Sequence, residues 1–338
     1  ATVLTHVLLP MIQSGAYICM CLLLLAMALK STRKNREAYF FGVSCLALAT
    51  VAVMAVRVLL MVLIDGHPQY MGLMGHPIAD AYQSLMAERG EELRGPASVL
   101  YAMGGVVNIV PRGMREQGVK TYADIGYGSY NTLQTEATNR IRKGRFTSVV
   151  SGSYNRTDGH RADMGFEQYG GYAKLGYEIS QAWNVRADVN VTHFNASQPG
   201  TVTNPMADAD QRITRGMTSL SVENNYGRTS GALSLFYNWG RHKIDDGYAA
   251  GSEPLDYRFN SRDRMLGVSW YQSAQLFAGN RLTVGFDYFH FGGESWNRFL
   301  DGHEEPQVDK TQDEVAGYVD FRQSLGTWLT LDAGLRVD

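Results

Sequence analysis

The side chains best equipped for chemistry lie in one short stretch, His67-Pro68-Gln69-Tyr70-Met71-Gly72-Leu73-Met74-Gly75-His76-Pro77. Thioether and imidazole groups are soft ligands, suited to copper or to the face of a metal macrocycle. Pro and Gly at this density break regular structure and make an irregular loop. Tyr70, Met71, Met74 and His76 are therefore candidate ligand contacts, the alternative being that the two methionines fill packing gaps. Asp208-Ala209-Asp210 and Asp245-Asp246 offer oxygen ligands for calcium, or simply solvated loop charge. There is no nucleophile–base pairing, zinc-spaced His/Cys set or phosphate loop, so neither an enzyme nor a resident cofactor is expected.

These groups must be positioned by elements of two unlike kinds. All three cysteines (Cys19, Cys21, Cys45) fall early, whereas all five tryptophans follow residue 180. Residues 6–29 and 38–56 are apolar runs separated by Lys30, Arg33, Lys34 and Arg36. Each approaches the ~20 residues that cross a hydrocarbon core of ~30 Å. With the basic cluster on the cytoplasmic side, residues 1–57 read as an inner-membrane helical hairpin. A signal peptide would carry a charge before its apolar stretch, and none is present. The net charge of −2 supplies no basic field, which excludes nucleic acid as a partner.

From Val119 onward the apolar period becomes two. Trp183, Val185, Ala187, Val189 and Val191 alternate with Asn184, Arg186, Asp188, Asn190 and Thr192. Leu282, Val284, Phe286 and Tyr288 do the same, as do Leu329, Leu331, Ala333, Leu335 and Val337. One apolar and one polar face over about ten residues is the pattern of strands that separate lipid from a wet lumen. Eleven such strands fit between 119 and 338, with short links alternating with long polar ones at 195–211, 243–261 and 293–310. Aromatic residues near strand ends, such as Tyr169, Trp183, Trp239 and Trp328, fit interfacial girdles.

Between the two regions, Leu93-Arg94-Gly95-Pro96, Leu100-Tyr101 and Gly104-Gly105-Val106-Val107-Asn108-Ile109-Val110 follow Val62-Leu63-Ile64-Asp65-Gly66. In this order and separation, the motifs resemble the plug domain of TonB-dependent outer-membrane receptors. The resemblance implies a membrane β fold: a partial transmembrane antiparallel barrel (117–338) with a remnant plug (58–116), preceded by two transmembrane-type α-helices (1–57). It assigns Arg94, Gly95, Pro96, Gly104, Gly105 and Asn108 structural roles in the plug. It also implies energised import of a metal complex or cofactor (a siderophore, haem, cobalamin or copper). The partners would be a TonB-type protein and the bilayer, and 58–338 would lie in the bacterial outer membrane. A comparable Arg-to-Glu contact makes Arg94 a latch to one of the lumen-facing acids Glu136, Asp188, Glu223, Asp287, Asp320 or Asp332. Two departures stand out. Tyr101 runs directly into Ala102-Met103, and Arg89-Gly90-Glu91-Glu92 replaces apolar residues, so that strand is expected to be weak.

Plugged transporters have ~22 strands, so eleven read as the first half of a barrel. Helices and barrel also belong to different membranes, which points to a truncated or composite chain. The other readings are a passive outer-membrane barrel, a surface-binding scaffold, or an inner-membrane sensor segment fused to a receptor fragment.

Overall fold

The computed structural model describes residues 60–71, 73, 76–77, 87–93, 105–111, 113–249 and 251–338. The expected helical hairpin lies outside the described residues, as do Met74, Arg94, Gly95, Pro96 and Gly104. Among the described residues no helix is long and apolar enough to cross a membrane.

A small sheet opens the described chain. Its strands are β1 (Leu60–Ile64), β2 (His67–Pro68), β5 (Ala87–Leu93) and β6 (Gly105–Pro111), with β3 (Tyr70–Met71) and β4 (His76–Pro77) forming a separate ribbon. The order is β2-β1-β6-β5, and the two motif segments lie side by side because β1 and β6 pair in parallel, Leu60 with Gly105 through Ile64 with Ile109. The polar stretch Arg89-Gly90-Glu91-Glu92 does form a strand, antiparallel to β6 with a register shift between Ala87 and Arg89. Its position explains this: β5 is an edge strand, where charged residues are tolerated and the backbone ladder carries the pairing.

The rest is one antiparallel sheet of 11 strands in sequential order. They are β7 (Gly118–Gly128), β8 (Thr132–Lys143), β9 (Phe146–Thr157), β10 (Phe166–Glu178), β11 (Trp183–Ser197), β12 (Met206–Asn225), β13 (Thr229–Ala249), β14 (Tyr257–Ala274), β15 (Asn280–Phe299), β16 (Glu304–Leu325) and β17 (Leu329–Val337). The predicted long links are mostly strand. Only 198–205, 250–256 and 300–303 lie between strands at those places. A tilted strand needs ~9–11 residues to cross a bilayer, whereas β12 to β16 run for 18 to 22. In the distal parts both faces carry polar residues, Asp210 and Arg212 on one and Gln211 on the other in β12, so the ladder continues after the apolar period-two signal has vanished.

The wall is apolar outside and polar inside. Pairing sets Leu220 opposite Ala187 and Leu235, Trp270 opposite Leu233 and Phe286, and Val319 opposite Val284 and Leu335. Many of these residues are exposed. The other face carries Asp188, Asn190, Arg215, Ser219, Asn238 and Asp263, all buried. A soluble sandwich buries the apolar face instead.

Candidate functional site

The site lies where the small sheet meets the polar face of the wall. Asp65 and Gly66 both have positive φ (50° and 87°), and Ile64 pairs with His67 across them. This is the two-residue turn that Asp-Gly favours, because only Gly, Asn and Asp enter that region readily. Asn108, from the second motif, caps the turn: the Gly66 N–H donates to its Oδ1 at 2.9 Å, and the Asp65 N–H donates to the Ile109 carbonyl at 2.9 Å. The turn is thereby fixed, and the Asp65 carboxylate projects towards the wall.

There it meets two cations. The Lys174 ammonium of β10 forms a short ion pair with Asp65, and Arg186 of β11 lies 3.9 Å away. Arg186 is in turn ion-paired with Glu223 of β12. Burial works against the Asp65 charge, but Lys174 and then Arg186 outweigh it and hold the carboxyl below its ordinary range. The pair is largely dry, with the Lys174 and Asp65 side chains 15% and 11% exposed.

Next to it, His67 is buried between Ser221, whose Oγ is 3.4 Å from Nε2, and the Phe236 ring, 5.5 Å away between centroids. Burial pushes the imidazole below its usual value despite the nearby carboxylates of Asp188 and Asp65. Backbone and amide contacts extend the seam. Asn238 Nδ2 donates to the Pro68 carbonyl at 2.6 Å, and Gln69 Nε2 donates to Met217 Sδ at 2.9 Å. Tyr70 packs edge-on against Phe291, at 5.8 Å, beside the buried cluster Phe236, Met265 and Phe289. Burial, and then Glu314, raise the Tyr70 phenol above its ordinary value, so it stays protonated.

The predicted residues are distributed as follows. Tyr70, Met71 and His76 come together in the β3–β4 ribbon, where Met71 pairs with His76 and is itself buried. Gly105 and Asn108 lie in β6. The six lumen acids do share the inward face, and most are engaged: Asp188 with Ser219, Glu223 with Arg186, Asp287 with Arg336 and Asp332 with Arg322. Glu136 differs. Its Oε1 accepts from Thr138, but its Oε2 is buried without a partner among the described residues. Sequence reasoning missed Asp65, Lys174, Arg186 and His67 as a group. The available signal was one cation on the polar face of each of β10 and β11, Lys174 and Arg186, together with an Asp-Gly turn upstream, but nothing local couples them.

No family model matches the sequence, and no curated protein matches it. Solved structures do. They include the copper transporter OprC (13% identity, TM-score 0.68, 82% of this chain and 46% of that one) and FpvA of P. aeruginosa bound to heterologous pyoverdines (13%, 0.67, 82% and 45%). The unliganded ferric citrate transporter FecA is similar at 18% identity and TM-score 0.62, over 83% of this chain and 47% of that one. The chain thus spans less than half the length of each of these proteins. With a wall that is apolar on one face and a small mixed sheet docked on its polar side, the chain has the fold of the TonB-dependent outer-membrane receptors.

Proposed function

We propose that the chain is part of an outer-membrane receptor for energised uptake of a metal complex or cofactor, with 58–116 as plug and 117–338 as the first part of the wall. The observation that carries this reading is the buried charge seam at Asp65. A passive channel has no use for a mixed sheet anchored across its lumen by Lys174, Arg186 and Asn238. Energised import does, because polar seams can separate and re-form with little apolar area exposed. The neighbours named for copper, pyoverdine and ferric citrate support a metal-complex ligand of that general class. The β3–β4 ribbon is the ligand-facing candidate, with Tyr70, Met71, Met74 and His76 as contacts. Arg94 is the plug's further latch, and Glu136, with one oxygen unanswered, is its partner. A TonB-type protein would supply the pull.

The test is ligand binding by the full chain folded in neutral detergent. Tryptophan fluorescence is titrated with a ferric siderophore, haem, cobalamin and copper. Saturable quenching by one of them is expected, and it should weaken in the Met71→Ala/Met74→Ala double variant. No response to any of the four would overturn the reading.

A further inference from the structure

Along the wall, the small sheet changes the kind of contact it makes. Against β10, β11 and β12 it is held by charge and hydrogen bonds, Asp65 with Lys174 and Arg186, and His67 with Ser221. Against β13, β14 and β15 it is held by rings and thioethers. The His67 ring lies 5.5 Å from that of Phe236, and Tyr70 is edge-on to Phe291 at 5.8 Å. Phe236, Met265 and Phe289 form one buried cluster, with Tyr70 and Phe291 packed against it, and β3 lies against β14. Register produces this division. One inward row runs from Lys174 and Asp188 on β10 and β11 to Phe236 and Phe289 on β13 and β15. The next runs from Tyr172 and Asn190 to Met265 and Phe291.

A second observation falls on the same side. Arg140 Nε of β8, the Tyr172 hydroxyl of β10, and Arg186 Nε and Asp188 Oδ1 of β11 are buried without a hydrogen-bond partner among the described residues. The boundary strand β13 has one such atom, Asn238 Oδ1. Between Asp263 and Ser269 of β14, and between Asp287 and Gly293 of β15, there is none. Polar atoms left so disfavour the docked state and regain water when the seam parts. The apolar seat behaves in the opposite way. Separating it costs in proportion to the area exposed, while the flexible Met side chains let rings turn against one another without losing burial.

We propose that the small sheet swings on the seat of Tyr70 and Met71 against β14 and β15 and parts from β10 and β11, so that the ligand's passage opens on that polar side. This rests on the uptake reading above. The passage is lined by Ser151, Tyr172, Asn190 and Thr192, which offer hydroxyls and amides and no fixed charge. Such a strip suits a hydrophilic chelate whose surface is carbonyl and hydroxyl oxygen, rather than a large apolar macrocycle. The ion pair at Asp65 is the catch of this arrangement, because its attraction falls steeply once water separates the charges.

The experiment uses the full chain in neutral detergent, with Cys19, Cys21 and Cys45 replaced by Ser. Single cysteines are placed at buried positions, S151C and N190C on the polar side and M265C at the seat. Their reaction with a charged, water-soluble maleimide is timed. K174M should speed S151C and N190C by on the order of 100-fold, the factor that matches stranding one partner of a buried pair, and leave M265C unchanged. Equal gains at all three would mean that the sheet leaves as a unit, and would overturn the hinge. A gain at M265C alone, or at none of the three, overturns it as well. Should K174M lose the β-type circular dichroism spectrum, sub-denaturing urea on the Lys174 chain replaces it. N190C should then react at lower urea than M265C, and the reverse order overturns the proposal. In the K174M chain a ferric trihydroxamate should slow N190C labelling several-fold, and haem should not. Protection by haem and not by the trihydroxamate overturns the ligand class. The fluorescence titration described above, run on the same protein, reads the uptake proposal separately. No response to any ligand overturns that reading and this one with it, whereas a response without the labelling contrast overturns the hinge alone.

Discussion

Asp65 shows how one carboxylate can hold a module in place. Its turn is rigid because Gly66 and Asn108 fix it from either side, so little entropy is lost when Lys174 closes on it. Removing one partner of a buried pair leaves the other charge stranded, at a cost of ~3–5 kcal/mol. Lys174→Met should therefore release the small sheet, raising its protease sensitivity in the folded chain. Asp65→Asn/Lys174→Met together should be milder than Lys174→Met alone. A double variant as sensitive as the single one would show that the pair is not the anchor. Acid should act in the same direction as these variants. The Asp65 carboxyl is held down in the docked state, so its contribution is present above the ordinary carboxylate range and is lost as pH falls through the depressed value. His67 is also depressed, by burial, and docking weakens as pH falls below the ordinary imidazole value of ~6.5 towards the docked one. Protease sensitivity of the small sheet should hence rise below about pH 6.5. In His67→Gln that first rise should disappear, leaving only the one at carboxylate pH.

At the scale of strands, the wall is held by cross-strand pairs chosen for fit. Rings lie over facing glycines: Trp239 over Gly216, Phe236 over Gly267 and Tyr318 over Gly285. On the inward face, Arg215 makes a two-pronged bond to Asp263 at 2.8 and 3.0 Å, with His242 beside it, and all three are buried. Gly240 lies between the two strands, and a Cβ there would run into both the guanidinium and the carboxylate. Gly240→Ala should accordingly destabilise the wall by ~1–3 kcal/mol, the usual cost of overpacking. Chemical denaturation in detergent would read this as a lowered midpoint, and an unchanged midpoint would mean that the ion pair is free to move aside. Arg94→Ala and Glu136→Gln test the latch proposed above. Each should raise protease sensitivity, with no further increase when they are combined. Additive effects would separate the two residues.

For the whole molecule, the decisive property is the inversion of polarity across one sheet. Trp270 is on the outward face beside Leu233 and Phe286, and is exposed. In a variant retaining Trp270 as its only tryptophan, brominated acyl chains should quench the fluorescence strongly and aqueous iodide weakly. The reverse result would place that face in water. Among the described residues, β7 and β17 are the two edges of the sheet, each paired on one side only. On the proposed outer-membrane reading, unpaired backbone groups in hydrocarbon would cost several kcal/mol each, and both edges would require a pairing strand.

The alternation around Val185, Val284 and Leu335 was enough to determine the wall, its number of strands and its apolar face, because each outward side chain answers to its own neighbours in sequence. The strand after Gly104-Gly105 was legible in the β-branched run Val106 to Val110, whereas Asp65-Gly66 stood only as the end of a strand motif and its turn was not read. The lengths of β12 to β16 were not, since polar sequence on both faces carries no period. Nor was the pairing of Asp65 with Lys174, 109 residues away. Local sequence sets which face a charge occupies. Which opposite charge it meets depends on the register of the wall and on where the small sheet docks, and only the tertiary structure decides that.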